Sequence, residues 1–143
     1  MNFVFDTNII LNYLKDSPIK KIIENKYDPF GSDNTSIVSV ISIGELKAFS
    51  LKNNWGNPRI LKMNNIIKDF VIADINTEDI VDRYAEIDAF SQGRLNGKVS
   101  NFSARNMGKN DIWIAATASV LDATLLTTDN DFDHLDKEFF LKN

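Results

Sequence analysis

Short runs of apolar and β-branched residues alternate along this chain with longer stretches in which hydrophobic positions recur every three or four residues. Asn2 to Phe5 is an apolar strand, followed by Asp6, Thr7 and Asn8 and then by Ile9, Ile10, Tyr13 and Leu14 at helical spacing. Ser17-Pro18 opens a second helix with the stripe Ile19, Ile22, Ile23 and Tyr27, since proline at a first helical position loses no hydrogen bond. Thr35 to Val40 alternates as a strand does. A helix pair broken at Trp55-Gly56 follows, with Ile60, Met63, Ile67 and Phe70 on one face of its second member. Phe70 to Ala73 reads as a third strand, and Thr77 caps a helix lined by Ile80, Tyr84 and Ile87, with Asp79, Asp82, Glu86 and Asp88 on its solvated face.

The most apolar part of the pattern is Asn110 to Asp133. Ile112 to Leu121 is apolar nearly all round, which predicts a buried helix; Ala123 to Thr128 predicts a buried strand; aspartates follow at 129, 131 and 133. The tail Asp136 to Asn143 contains a candidate edge strand in EFFL. With helices between strands throughout, the predicted fold is α/β, a parallel β-sheet flanked by helices on both faces. No repeat, linker or low-complexity tract interrupts it, so residues 1–143 are expected to form one domain.

In such sheets the loops beyond the carboxyl ends of the strands supply the ligand-binding groups. Asp6 follows the first strand, Glu45 lies one turn into the helix after the second, and Asp129 follows ATLLTT. Asp111 opens the buried helix and joins them if that helix end packs on the same edge. Each acid has a local explanation. Asp6 or Thr7 can cap the first helix, and on position alone that is the simpler reading; Ser42 and Glu45 fit a capping box; Asp131 fits a cap in DNDFD better than a ligand. Four carboxylates converging from distant segments have a poorer explanation, because like charges at close range repel and raise each other's pKa.

Composition narrows what could relieve that repulsion. Cysteine is absent and His134, in the turn FDHL, is the one histidine, so zinc sites and Cys-His or Ser-His-Asp catalysis have little support. Magnesium or manganese, which take oxygen ligands, fit better. There is no glycine-rich nucleotide loop, so the chemistry expected is phosphodiester hydrolysis by an acidic metal centre. Thr7, Asn8, Asn110, Thr128 and Asn130, with Asp131, are candidates to orient carboxylates or water. A net charge of -4 excludes a broad basic surface, so a polyanion must be gripped locally. The basic segment Ser91 to Lys109 reads as an exposed loop; Arg94 and Lys98 lie far from the acids, whereas Arg105 and Lys109 just precede Asp111 and are the candidates for phosphate contact. The absence of cysteine, of a leader and of a long apolar run leads to the expectation of a soluble cytoplasmic protein.

FDTNIILNYL from Phe5, SVISIGEL with Glu45, NDIWIAATA with Asp111 and LLTTDNDF with Asp129 together resemble the PIN-domain ribonucleases, in particular VapC toxins of bacterial toxin-antitoxin pairs. They span nearly the whole chain in the family's order. The resemblance implies a three-layer α/β/α fold, with Asp6, Glu45, Asp111 and Asp129 around magnesium or manganese. It also implies cleavage of RNA, with transfer RNA a candidate, a homodimer, and a cognate antitoxin that fills the active-site groove. Asn110 stands where many members carry another acid and Asp131 where some do, which leaves the number of metals open. Two rivals are a non-catalytic module of the same fold and a haloacid dehalogenase-like phosphohydrolase; the latter needs D-x-D after its first strand, and the triplet here is Asp6-Thr7-Asn8.

Overall fold

The computed structural model describes residues 1–98 and 102–143. Its strands are β1 (Asn2–Phe5), β2 (Thr35–Ser39), β3 (Val71–Ala73), β4 (Ala123–Leu126) and β5 (Leu141–Lys142), all parallel, in the order β3-β2-β1-β4-β5. The helices are α1 (Thr7–Leu14), α2 (Pro18–Tyr27), α3 (Val40–Lys52), α4 (Asn57–Ile67), α5 (Glu78–Ser91) and α6 (Lys109–Val120), and a short 3-10 helix covers Asn130–Leu135.

Because strand side chains alternate, neighbouring residues of one strand enter opposite layers. Phe3 and Phe5 of β1 join Val38 and Leu126 in a core covered by α1, α2, α3 and α4, whereas Val4 joins Ile37 and Leu125 in a core covered by α5, α6 and the 3-10 helix. A three-layer α/β/α sandwich results. The sequence-predicted buried helix is α6: Ile112, Ile114, Ala115, Ala116, Thr117 and Ala118 are all buried, and Trp113 lies tilted against Tyr84 of α5 with ring centroids 4.1 Å apart. Its alanines let it approach α5 and the sheet closely. No helix among the described residues is long and apolar enough to cross a membrane.

The chain winds from β1 outward to β2 and β3, then returns across to place β4 on the other side of β1. The reversal lies between β1 and β4, and a crevice opens beyond the carboxyl ends of strands at such a switch point.

Several boundaries differ from the sequence-based expectation. The second strand ends at Ser39, not Val40, and Ser39 caps α3 by accepting a hydrogen bond from the Ile41 N–H at 3.1 Å. Ser42 is therefore inside the helix and fully buried, and the capping box with Glu45 does not form. An earlier serine took the cap, which leaves the Glu45 carboxylate for another use. β3 begins at Val71 rather than Phe70, which is buried in the core beside it. At the tail, the edge strand pairs through Leu141 and Lys142, later than EFFL, because Lys137 to Phe139 are occupied by turns that return to Leu135 and Phe140.

Candidate active site

β1 delivers Asp6 directly to the switch point. Its carboxylate is only 5% exposed, with Oδ1 accepting from the Thr7 N–H at 2.8 Å and Oδ2 from the Thr127 hydroxyl at 2.7 Å. The capping expectation for Asp6 thus holds in position, but the bond goes to the first helical amide and the second oxygen is spent across the sheet. Burial pushes the Asp6 pKa up; the bonds from Thr127 and Thr7 oppose this, and the charges of Glu45 and Asp129 add to it.

Glu45 reaches the same place from one turn inside α3, where Oε1 accepts from the Thr7 hydroxyl at 2.8 Å. Asp129 follows β4 and caps the 3-10 helix, accepting from the Asp131 N–H at 2.9 Å, while its own N–H donates to the Thr127 hydroxyl at 3.0 Å. Asp111 sits in the first turn of α6, its carboxylate beside the N-cap residue Gly108. Burial comes first among the causes that push its pKa up to about 7, followed by the charges of Asp6, Asp129, Glu45 and Asp131.

The four acids picked from sequence, Asp6, Glu45, Asp111 and Asp129, all line one cleft of about 730 Å³, together with Thr7, Asn8 and Asn110. One carboxylate oxygen each from Asp111, Asp129 and Asp131 lies within 4.8 Å of the others. Asp131 is therefore a member of the acid cluster as well as a residue of the capped turn: its N–H is capped by Asp129, and its side chain returns to Asp111. The cap expected at Asp131 is made instead by Asp129, two residues earlier, which leaves the Asp131 carboxylate free to join the cluster. This set is all oxygen and strongly anionic, and the buried Asn8 Oδ1 in the cleft has no hydrogen-bond partner among the described residues. Such a site fits a hard divalent cation with its water and does not fit zinc.

Other candidates are placed differently. Thr128 is exposed; the hydroxyl that ties Asp6 to Asp129 belongs to Thr127, one residue earlier. In the extended segment just beyond β4, neighbouring side chains point to opposite sides, so a slip of one position reverses the face. Asn130 is exposed at the start of the 3-10 helix and does not line the cleft. Arg105 and Lys109 are exposed and stand outside the cleft lining. Arg105 lies near His134, whose pKa is lowered by burial first and then by the Arg105 charge. The His134 Nε2 meets the buried Ser91 hydroxyl at 2.8 Å and its ring packs edge-on to Phe102, which makes it a packing residue. The cation that does line the cleft is Lys52, at the end of α3 beside Ala48 and Phe49. Sequence reasoning passed over it, although Glu45, Phe49 and Lys52 recur at one-helix-face spacing.

The fold resembles that of several solved structures. The chain superposes with a TM-score of 0.76 and 20% identity on a chain of VapBC2 from Rickettsia felis bound to a promoter DNA fragment, covering 100% of this chain and 98% of that one. A chain of VapBC-1 from nontypeable Haemophilus influenzae gives 0.74 and 24%, covering 100% and 97%. VapBC-5 from Mycobacterium tuberculosis, described as a member of the VapBC family of toxin-antitoxin systems, gives 0.62 and 18%, covering 99% and 98%. No curated protein sequence matches the chain. The sequence itself matches the PIN domain family over residues 3–138, which takes in the switch point and every acid gathered there and leaves the dehalogenase alternative without support. With that match across nearly its whole length, on a fold and an acidic crevice of the same kind, the chain belongs to the PIN-domain family.

Proposed function

We propose that this protein is a magnesium- or manganese-dependent endoribonuclease, a VapC-like toxin that hydrolyses RNA phosphodiester bonds, with transfer RNA a candidate target. The observation that carries the reading is the meeting of Asp6, Glu45, Asp111 and Asp129 from four separate segments at one crevice, with Asp131 beside Asp111 and Asp129, and with the Asp111 pKa raised to about 7 by burial and by its neighbours. That arrangement is costly without a cation and natural with one.

Asp6, Glu45, Asp111 and Asp129 would hold the ion, joined by Asp131. When bound, it would supply Lewis-acid charge to a phosphodiester and make water a better nucleophile. The chain's own groups do the positioning. Thr127 fixes Asp6 and Asp129 relative to one another, Thr7 orients Glu45, and Asn8 and Asn110 offer carboxamides to water or ribose on the cleft wall. Arg105 and Lys109, outside the cleft, are proposed to hold RNA flanking the cut. The same reading implies a cytoplasmic protein, a homodimer and a cognate antitoxin; membership of the family and likeness to chains of VapBC complexes support it.

The test is cleavage of a single-stranded RNA by purified protein in magnesium, with EDTA as control. Asp6→Asn and Asp111→Asn are expected to lose at least ~100-fold in rate while keeping a cooperative thermal transition. Undiminished cleavage in either folded variant refutes the assignment.

A further inference from the structure

The cleft has two unlike ends. The acids occupy one; the other, along α3, is lined by Ala48, Phe49 and Lys52. Phe49 is 43% exposed, large for a phenylalanine, yet its ring is not free: it meets Trp55 edge-on with centroids 5.7 Å apart, and the Arg59 guanidinium lies over the Trp55 ring at 4.7 Å. Guanidinium, indole and phenyl thus hold one another in order, and the outermost ring faces the cleft. A pre-oriented aromatic face loses little conformational entropy when something flat stacks on it. Lys52 is exposed and forms no ion pair among the described residues. Seven residues separate it from Glu45, roughly 10 Å of helix axis, the length of about three nucleotides stacked at roughly 3.4 Å each.

Taking the nuclease reading as its premise, we propose that Phe49 and Lys52 form a nucleotide subsite, in which an RNA base stacks on Phe49 while Lys52 takes the adjoining phosphate, so that the strand runs along α3 toward the acids. An apolar protein segment fits the rim less well, because it would leave the Lys52 charge in the groove without a partner. A polyanion satisfies both groups at once. It also explains how a chain with a net charge of -4 can hold RNA beside an acidic cluster: the positive charge is placed one short strand-length away from the carboxylates.

The experiment uses a single-stranded oligoribonucleotide that the protein cleaves in magnesium, with affinity measured by fluorescence anisotropy with calcium in place of magnesium. A set of oligomers carries one abasic nucleotide at successive positions. For the wild type, one position is expected to weaken binding about 5- to 150-fold, the loss of one stacked base. Phe49→Ala should weaken binding of intact RNA by the same factor and show no further loss with the abasic oligomer, and Phe49→Trp should restore the difference. Lys52→Gln should make the slope of log affinity against log salt shallower by about 0.7 and keep the abasic penalty. Unchanged RNA affinity in Phe49→Ala, or an abasic penalty that persists in it, overturns the proposal. Cleavage by the wild type without any abasic penalty removes the subsite and leaves the nuclease reading standing. Absence of cleavage of every oligomer tried in magnesium removes the nuclease reading, on which the subsite rests, and is thereby distinguished from failure of the subsite alone.

Discussion

Replacing Asp111 with asparagine should stabilise the metal-free protein and destabilise the metal-loaded one, and the size of each effect follows from the site. Burial, then the charges of Asp6, Asp129, Glu45 and Asp131, carry the Asp111 pKa from the ordinary 3.8 to about 7 in the folded state. Below about pH 4 both folded and unfolded chains hold the proton, and the variant and wild type differ little. Between about pH 4 and 7 the unfolded chain has released the proton while the folded chain retains it, so wild-type stability declines as pH rises; above about 7 the deficit is constant. At 1.36 kcal/mol per pH unit the ceiling is about 4 kcal/mol. Asp111 is only half-buried, so solvent screening reduces this to about 1–2 kcal/mol. Loss of an acid from the first turn of α6 works the other way by about 0.3–1 kcal/mol. Urea unfolding in EDTA at pH 8.5 should therefore find Asp111→Asn the more stable by up to about 1.5 kcal/mol, with the advantage gone at pH 4. In magnesium at 100 times its dissociation constant the wild type gains about 2.7 kcal/mol that the variant largely lacks, so the order reverses. A variant less stable than wild type in EDTA at pH 8.5, or stabilised equally by magnesium, refutes the account of Asp111 as a strained ligand.

Two further substitutions probe the frame around the acids. Thr127→Val removes the hydroxyl that donates to Asp6 and accepts from the Asp129 N–H, and should lower magnesium affinity about 10- to 100-fold by isothermal titration, while Thr128→Val, on the exposed side, should change it less than about twofold. Phe5→Ala, which empties a fully buried position packed edge-on against Tyr13 and Phe70, should cost about 3–5 kcal/mol in urea unfolding without altering the acids themselves.

The layers of this fold are legible in the sequence because each strand and helix states its own period. Phe3 and Phe5 against Val4, or the apolar run from Ile112, need no tertiary information to be placed in a core. The candidate site is legible in part at strand ends: Asp6 and Asp129 follow strands and Glu45 lies in the helix after one, whereas Asp111 opens α6 and only the packing of that helix brings it to the same cleft. What escaped was the choice among locally equivalent options. Ser39 and Ser42 are both competent caps, and only the length of β2 decides which one α3 uses. Thr127 and Thr128 are chemically the same, and the facing of the chain just past the end of β4, which buries the first and exposes the second, separates them. Asp131 contributes its amide to a turn and its carboxylate to the cluster, two roles that a sequence pattern presents as alternatives. Lys52 was hidden for a different reason. Proximity in sequence favoured Arg105 and Lys109, whereas α3 carries Lys52 into the cleft from a remote segment.

The hydrogen bond between Thr127 and Asp6 spans 121 positions of chain, and it has a bearing on synthesis. A growing polypeptide folds from its N-terminal side first. β1, β2 and β3 can pair once the residues through Ala73 have emerged, but β1 then remains an edge, and Asp6 lacks both the strand that buries it and the hydroxyl that orients it. Asp111 and Asp129 do not yet exist. The acid cluster is complete only when β4 docks on β1 and brings Thr127, Asp129 and Asp131 to Asp6. On the nuclease proposal, cleavage is therefore expected to require nearly the whole chain, because an N-terminal piece that ends before β4 lacks Thr127, Asp129 and Asp131.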